Sequence, residues 1–341
     1  MINEFKPDCP YRESNELINI LRSKNLEISK EDEPLVQSLL QSMGYSNFIN
    51  KYKQPFVDSD KKYNSGTSIQ DLYQIYYIDS KIQGAFIATA LRIQMHLANA
   101  IGDIIAKHIG VNSDPNAEDY YLKPEYFNNQ SLRSSLEKEL RENPYNPTRY
   151  YRDNKNHIPP WVLTQNLYFG TLTRLYKSID VQLKEEIVQD MFPWTKIDES
   201  IKGLFFCSLE LIRCFRNFAA NSQPMYSSKA NIDNPLSYTI LKKITGDSIA
   251  THKQLSKNGL YSAMISAMLL CTKSQRQEFI SDLELFDVTF KQNSLNNYEL
   301  YKNYADMPHD YLKKLKSIDT ILSDLTNNLN HTKNVQNVDL Q

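Results

Sequence analysis

The sequence predicts an all-α protein. Apolar residues recur at spacings of three and four along most of the chain, and few runs alternate as β-strands do. Glycine is scarce, at 9 of 341 residues, while hydrophobic residues make up 41%. A chain of this length can bury a large core, either as one large domain or as two that pack closely.

The first half of the chain predicts three main helices. Two short amphipathic helices are expected within residues 13–28 and 33–48, followed by a polar, turn-rich loop at 52–68. The longest helical signal runs from Ile69 to about His108, with a break expected near Gly84.

The second half is less regular at its start. Residues 111–160 predict one helix around 131–142 between ordered loops. Helical periodicity then resumes in segments 166–179, 181–192, 198–220, 259–275 and 276–286. Residues 327–341 have no apolar face, so we expect a disordered tail there.

Charge and cysteine content exclude several classes of protein. The formal net charge is −1, so nucleic-acid binding would need a local basic patch. The four cysteines form no CxxC pair and the six histidines are scattered, so neither a metal site nor a cofactor is predicted. No apolar signal segment or membrane-length run occurs, so we expect a reduced cytoplasmic protein without membrane contact.

A glutamine interrupts the apolar stripe of the long helix. The stripe consists of Ile87, Leu91, Ala98, Ile101 and Ile105. Gln94 falls on it, and a buried amide without partners costs about 1–3 kcal/mol. Gln94 therefore indicates either a polar network or site, or a side chain at the stripe's edge that reaches water.

An arginine interrupts a second stripe, in the helix that begins after Asp198. That stripe consists of Phe205, Leu209, Ile212 and Ala219. Arg216 takes an apolar position in it, and Asn217 lies one step round the helix. A guanidinium placed there favours an acid, a phosphate or an interface as its partner. The alternative is a structural arginine that nearby carboxylates or helix ends satisfy.

Several motifs carry a family resemblance. The run FKPDCPYRESNELINILRSKNLEI opens the chain, LLQSMGYSNFINKYKQPF follows, and DLYQIYYIDSKI lies in the long helix. The most specific are PPWVLTQNLYFGTLTRLYKSI, at 159–179, and FRNFAAN, at 215–221. In order and spacing these resemble the Abi (abortive infection) family of bacterial phage-defence proteins, of the AbiD/AbiF type, within the HEPN superfamily.

The resemblance implies a fold and an assembly. It implies a HEPN-type helical bundle at 66–290, an N-terminal helical segment at 1–65, and a C-terminal helix and tail at 291–341. It also implies a homodimer in which the Arg216-Asn217 helices of two chains face each other across a cleft.

The resemblance further implies an RNA-directed site. Active HEPN ribonucleases cut RNA without metal through an R-x-x-x-x-H motif, in which His serves as general acid or base and Arg stabilises phosphate charge. Mapped by residue, Arg216 and Asn217 occupy the first two motif positions, and Asn221 stands at the position of His. An asparagine exchanges no proton near neutral pH.

Three further positions depart from the family pattern. Gln94 stands where an acid is usual and Ala98 where an arginine follows it, while Gln83 takes the place of another common arginine. The losses fall on charged positions, and the aromatic scaffold with Arg216 and Asn217 is kept. This pattern indicates a retained scaffold with weakened or absent nuclease activity.

Three functions follow as hypotheses. The first is an antiphage defence protein that binds RNA, such as a small structured non-coding RNA in a toxin–antitoxin arrangement, with weakened or lost ribonuclease activity. The second is an active, metal-independent endoribonuclease toxin in which Arg216, Asn217 and Asn221 position the RNA. The third is a non-catalytic sensing or partner-binding subunit.

A basic, tyrosine-rich segment offers a second RNA contact. Residues 141–157 interleave cations with aromatic rings, a combination that can hold phosphates and stack bases. The candidate residues are Arg149, Tyr150, Tyr151, Arg152 and Lys155. The alternative is a solvated basic loop without ligand.

Overall fold

Helices make up the regular structure. The computed structural model describes residues 10–127, 129–246 and 249–338, and this part of the chain contains isolated β-bridges but no β-strand. The all-α prediction is therefore confirmed. The α-helices are α1 (Ser14–Ser23), α2 (Glu33–Met43), α3 (Ile69–His108), α4 (Gln130–Glu142), α5 (Thr148–Asn154), α6 (Pro160–Gln165), α7 (Phe169–Ser178), α8 (Val181–Met191), α9 (Glu199–Ala220), α10 (Tyr238–Thr245), α11 (His252–Ser256), α12 (Leu260–Leu270), α13 (Lys273–Tyr304) and α14 (Tyr311–Val338).

The α3 helix is the longest of these and has clear start signals. Ser68 accepts a hydrogen bond from the Asp71 amide, and the Asp71 carboxylate accepts one from the Ser68 amide, which forms a capping box. Lys107 lies in the last turn, where a positive charge interacts favourably with the helix dipole. The 40 residues run on through Gly84 without the expected break.

The core is built around α3 and α12. The α3 helix packs against α6, α8, α9 and α13, and α12 packs against α9 and α14. Every residue of α12 is buried, because this helix is apolar on all sides. Buried side chains from Ile18 in α1 to Leu322 in α14 form one hydrophobic cluster. The cluster includes residues from each of the predicted segments 1–65, 66–290 and 291–341.

Some elements differ from the sequence expectation. Helix α5 lies within the stretch that was expected to hold only one helix, and α10 and α11 follow the Arg216 helix. Helix α13 continues beyond the predicted segment and is kinked at Ser294. The α14 helix extends to Val338, and the remainder of the tail expected to be disordered, 339–341, lies outside the described residues.

No helix among the described residues is both long and apolar enough to cross a membrane. The described residues also hold no cluster of three or more His, Cys, Asp or Glu side chains placed to bind a metal ion.

Two glycines of α3 should respond oppositely to alanine. A Cβ at Gly102 would lie 2.6 Å from the Trp161 Cα and 2.9 Å from the Thr164 Oγ1 of α6, whereas a Cβ at Gly84 would meet nothing within 4 Å. We expect Gly102→Ala to lower the free energy of unfolding by about 1–3 kcal/mol through overpacking. Gly84→Ala should raise it by about 0.5–1 kcal/mol, because alanine restricts the unfolded chain. Urea unfolding measures both changes, and a shift of the same sign in the two variants would contradict the packing described.

Candidate functional site

The helix α9 brings Arg216 and Asn217 to the surface from a buried stripe. Its first turn is fixed by Asp198, whose Oδ1 accepts a hydrogen bond from the Ile201 amide at 2.8 Å. Phe205, the first residue of the predicted stripe, is fully buried. Arg216 and Asn217 are only partly buried, so the stripe opens to solvent at the end of the helix.

A cleft of about 650 Å³ lies between α7 and α9. The two helices meet through the ring of Tyr176, whose centroid lies 5.1 Å from that of Phe205 in an edge-on contact. Arg216 and Asn217 line the cleft on the α9 side, and Phe169 and Gly170 line it on the α7 side. The FGTLTRLYKS helix and the FRNFAAN segment of the sequence are thus neighbours in the fold.

The cleft carries an excess of positive charge. Among the described residues, its lining includes the cations Arg174, Lys177, Arg213 and Arg216 and one carboxylate, Glu210. Glu210 pairs with Arg213 through two hydrogen bonds, of 3.1 and 2.8 Å. The other three cations have no carboxylate partner among the described residues.

Among the described residues, the side chain of Arg216 is held by its neighbour Asn217 alone. Its Nη1 donates to the Asn217 Oδ1 at 3.2 Å, and no described carboxylate pairs with it. The described residues therefore do not support the alternative of a structural arginine that nearby acids satisfy. A guanidinium in this state keeps most of its donors available for a phosphate or carboxylate ligand.

Asn221 closes the helix that carries Arg216. Its Nδ2 donates to the Asn217 carbonyl at 2.9 Å, and its amide donates to the same oxygen at 3.1 Å. Ser222 follows with a φ of 51°, and the Gln223 amide donates to the Phe218 carbonyl at 2.8 Å, which completes a Schellman motif. Asn221 is exposed and serves as the C-cap.

A buried acid anchors the chain directly after this cap. Asp79 of α3 accepts hydrogen bonds from the backbone amides of Met225 and Tyr226, at 3.1 and 3.2 Å. The hydroxyls of Tyr301 and Tyr52 donate to it at 2.8 and 3.1 Å. Burial raises the pKa of the Asp79 carboxyl to about 6, although these hydrogen bonds act in the opposite direction.

Gln83 completes the anchor. Its Nε2 donates to the Asp79 Oδ2 at 2.7 Å and to the Gln223 carbonyl at 3.0 Å. Gln83 thus links the Asp79 carboxylate to the segment that follows the Asn221 cap. Asp79 is not among the site residues that the sequence predicts.

Gln94 supports the segment before α7. Its Nε2 donates to the Leu167 carbonyl at 3.2 Å, and Tyr168 and Phe169 of the cleft follow directly. The Gln94 Oε1 is buried and has no hydrogen-bond partner in the described part of the chain. Gln94 therefore makes a polar contact with the backbone before α7. It does not line the α7–α9 cleft itself.

The basic segment at 141–157 is partly helical, because α5 occupies its centre. Arg152 turns inward, and its Nη1 donates to the Asn143 carbonyl at 3.0 Å. Tyr151 packs against the core. These two candidate RNA contacts therefore have structural roles.

The other three candidates of this segment face solvent or one another. Arg149 pairs with Asp153 at 3.6 Å, and the Lys155 Nζ lies 5.9 Å from the ring centroid of the exposed Tyr150. None of the five candidates is among the residues that line the α7–α9 cleft. The structure brings Arg216 together with Arg174 and Lys177, which the sequence reasoning had not selected.

Histidine is missing from the lining of this cleft as the structure describes it. His96 pairs with Asp190 at 2.9 Å, and His309 pairs with Glu299 at 2.6 Å. The cleft therefore offers charge and hydrogen-bond donors for an anion, without an imidazole for proton transfer.

Comparison with known proteins gives one match. A family model described as "Abi-like protein" matches residues 38–227, more than half of the 341-residue chain. The matched residues include the α7–α9 cleft, Asp79 and Gln94. No curated protein and no solved structure matches the chain.

Proposed function

This chain belongs to the Abi-like protein family, and we propose that it serves abortive-infection defence by binding RNA in the α7–α9 cleft, with ribonuclease activity weakened or lost. The observation that carries the RNA proposal is the charge of the cleft. Arg174, Lys177 and Arg216 have no carboxylate partner among the described residues, and together they can hold phosphate oxygens of a polyanion.

The overall charge of the chain makes this local excess informative. A formal net charge of −1 provides no general attraction to nucleic acid, so a cluster of unpaired cations within one cleft is a local feature. Arg216 supports phosphate binding most directly, because among the described residues only Asn217 holds its planar donors beside the cleft.

The weakened catalysis rests on Asn221. In the resembled motif, a histidine at this position moves the proton, and asparagine has no group that titrates near neutral pH. In this chain the Asn221 amide group instead bonds to the Asn217 carbonyl at the end of α9. What remains of the motif can bind a phosphate but supplies no acid or base.

We also propose that the chain is of the AbiD/AbiF type, that it belongs to the HEPN superfamily and that it forms a homodimer. Ala220 and Asn221 are exposed at the end of α9, which leaves this end of the helix accessible to a second copy. Light scattering on a sizing column should give twice the mass of one chain, and a monomeric mass at all concentrations would remove the dimer from the proposal.

Asn221→His should restore cleavage. The substitution returns an imidazole to the motif position, and general acid–base catalysis contributes about 100-fold or more to such reactions. We expect labelled RNA to be cut at least about 100-fold faster by this variant than by the unchanged protein, in EDTA and near pH 7. Adding Arg216→Ala to Asn221→His is the matched control and should abolish the gain.

Other outcomes separate the remaining hypotheses. Metal-free cleavage by the unchanged protein that Arg216→Ala abolishes would identify an active endoribonuclease toxin and overturn the degenerate assignment. If the unchanged protein neither binds nor cuts RNA, the RNA proposal fails and a sensing or partner-binding subunit takes its place.

A further inference from the structure

Tyr168 stands between two clefts. It lines the α7–α9 cleft and also a second cleft of about 420 Å³, formed by the end of α4, the residues after it and Asn166. The residue is 75% exposed, and its side chain makes no hydrogen bond or ring contact with another described residue. A large ring that is left free at the junction of two clefts is available to a ligand that spans both.

The second cleft has a different chemistry from the first. Its cation Lys138 lies 3.7 Å from the carboxylate of Glu142, and Glu139 adds a second carboxylate. Tyr145, a residue that is 70% exposed, supplies another ring. Carboxylates repel phosphates, but they accept hydrogen bonds from the N–H groups on the edges of bases.

Hydrogen bonds fix the walls of the second cleft near the rings of Tyr145 and Tyr168. The Asn143 Oδ1 accepts from the Tyr145 amide at 2.8 Å, and its Nδ2 donates to Glu139 at 2.8 Å. The Asn166 Nδ2 donates to the Thr148 Oγ1 at 2.9 Å. Because these contacts hold both walls in place, a base entering between them loses little to ordering of the protein.

We propose that the second cleft binds an unpaired base of the RNA whose phosphates lie in the α7–α9 cleft. The base stacks on the rings of Tyr168 and Tyr145, and the carboxylates of Glu139 and Glu142 face its edge. The different charges of the two clefts support this arrangement, since the RNA phosphates are attracted to the cations of the α7–α9 cleft and repelled by the carboxylates of the second cleft. The inference rests on the proposed RNA function and adds to it a requirement for a base outside a duplex.

The test compares single-stranded and duplex RNA. Fluorescence anisotropy measures binding of an end-labelled single-stranded oligonucleotide of mixed sequence, and of the same strand annealed to its complement. Stacking of one base on an aromatic ring changes affinity by about tenfold or more. We expect Tyr168→Ala and Tyr145→Ala each to weaken single-strand binding about tenfold and to leave the weaker duplex binding unchanged.

Two further variants act as controls. Tyr168→Phe keeps the ring and should stay within about twofold of the unchanged protein. Tyr11 is 90% exposed and lines neither cleft, so Tyr11→Ala should also have little effect.

The outcomes distinguish this inference from the function on which it rests. If Arg216→Ala weakens RNA binding while Tyr168→Ala and Tyr145→Ala behave as Tyr11→Ala does, the base-binding cleft is wrong and the RNA function stands. Equal affinity for single-stranded and duplex RNA also overturns the inference. If the unchanged protein binds neither RNA, both proposals fail.

Discussion

Asp79→Ala should lower the free energy of unfolding by at least about 3 kcal/mol. The substitution removes the acceptor of the Met225 and Tyr226 amides and of the Tyr52 and Tyr301 hydroxyls. Each buried donor without a partner costs about 1–3 kcal/mol, and removal of a buried charge offsets only part of the sum. Urea or thermal unfolding measures the loss.

The matched control lies on the same helix. Asp103 of α3 is exposed and makes no side-chain hydrogen bond or ion pair with another described residue, so Asp103→Ala should change stability by less than about 0.5 kcal/mol. Similar effects of the two substitutions would show that Asp79 does not anchor the segment after α9.

The pH dependence of stability gives a second readout of the same group. The pKa of Asp79 is raised from 3.8 to about 6, so the folded protein binds this proton more tightly than the unfolded chain does. The contribution of this bound proton to the free energy of unfolding is fully present below about pH 4 and is lost as pH rises to about 6. The stability of the unchanged protein relative to Asp79→Asn should therefore fall by about 3 kcal/mol between pH 4 and 7. A difference that stays constant or grows with pH would contradict the raised pKa.

Arg216→Ala should weaken RNA binding by at least about tenfold. A hydrogen bond to a charged group contributes about 1.5–3 kcal/mol, and the guanidinium can donate two to one phosphate. Because the Arg216 side chain hydrogen-bonds only to Asn217 in the described part of the chain, the substitution should leave the free energy of unfolding nearly unchanged. Anisotropy with labelled RNA measures the affinity, and circular dichroism checks the fold.

Arg12→Ala is the control for charge. Arg12 is exposed just before α1 and lines no part of the α7–α9 cleft, so its loss removes the same charge from another place. We expect its effect on affinity to stay within about twofold, since exposed charges contribute little at a distance in physiological salt. Equal losses for Arg12→Ala and Arg216→Ala would mean that only overall charge matters.

Helical periodicity predicted much of the fold. The 3.6-residue repeat is a local property, so the positions of α3, α7, α8, α9 and α12 could be read from spacing alone. The short helices α5, α10 and α11 could not, because a helix of five to eight residues repeats too few times to show a period.

The site was predictable where it lies on one helix. The apolar stripe of α9 draws attention to Arg216, and the family resemblance then marks Asn221 as the residue at the motif's histidine position. The neighbouring Arg174 and Lys177 belong to α7, and only tertiary packing brings them to the same cleft. Spacing within one helix contains no information on which other helix lies beside it.

Asp79 also interrupts an apolar spacing, in the first half of α3. It lies four residues after Ile75 and three before Ile82, both fully or almost fully buried, so an acid occupies an apolar position just as Arg216 does. Its backbone partners, Met225 and Tyr226, are separated from it by 146 and 147 residues, and no local pattern indicates them.

The salt dependence of RNA affinity tests the central claim most directly. For single-stranded RNA, the logarithm of the association constant falls with the logarithm of salt concentration by about 0.7 per phosphate contacted. We expect a clear negative slope for the unchanged protein, and a slope that is less steep by about 0.7 for Arg216→Ala if Arg216 holds one phosphate. A flat response of the unchanged protein, or identical slopes and affinities for the two proteins, would contradict RNA binding at the α7–α9 cleft.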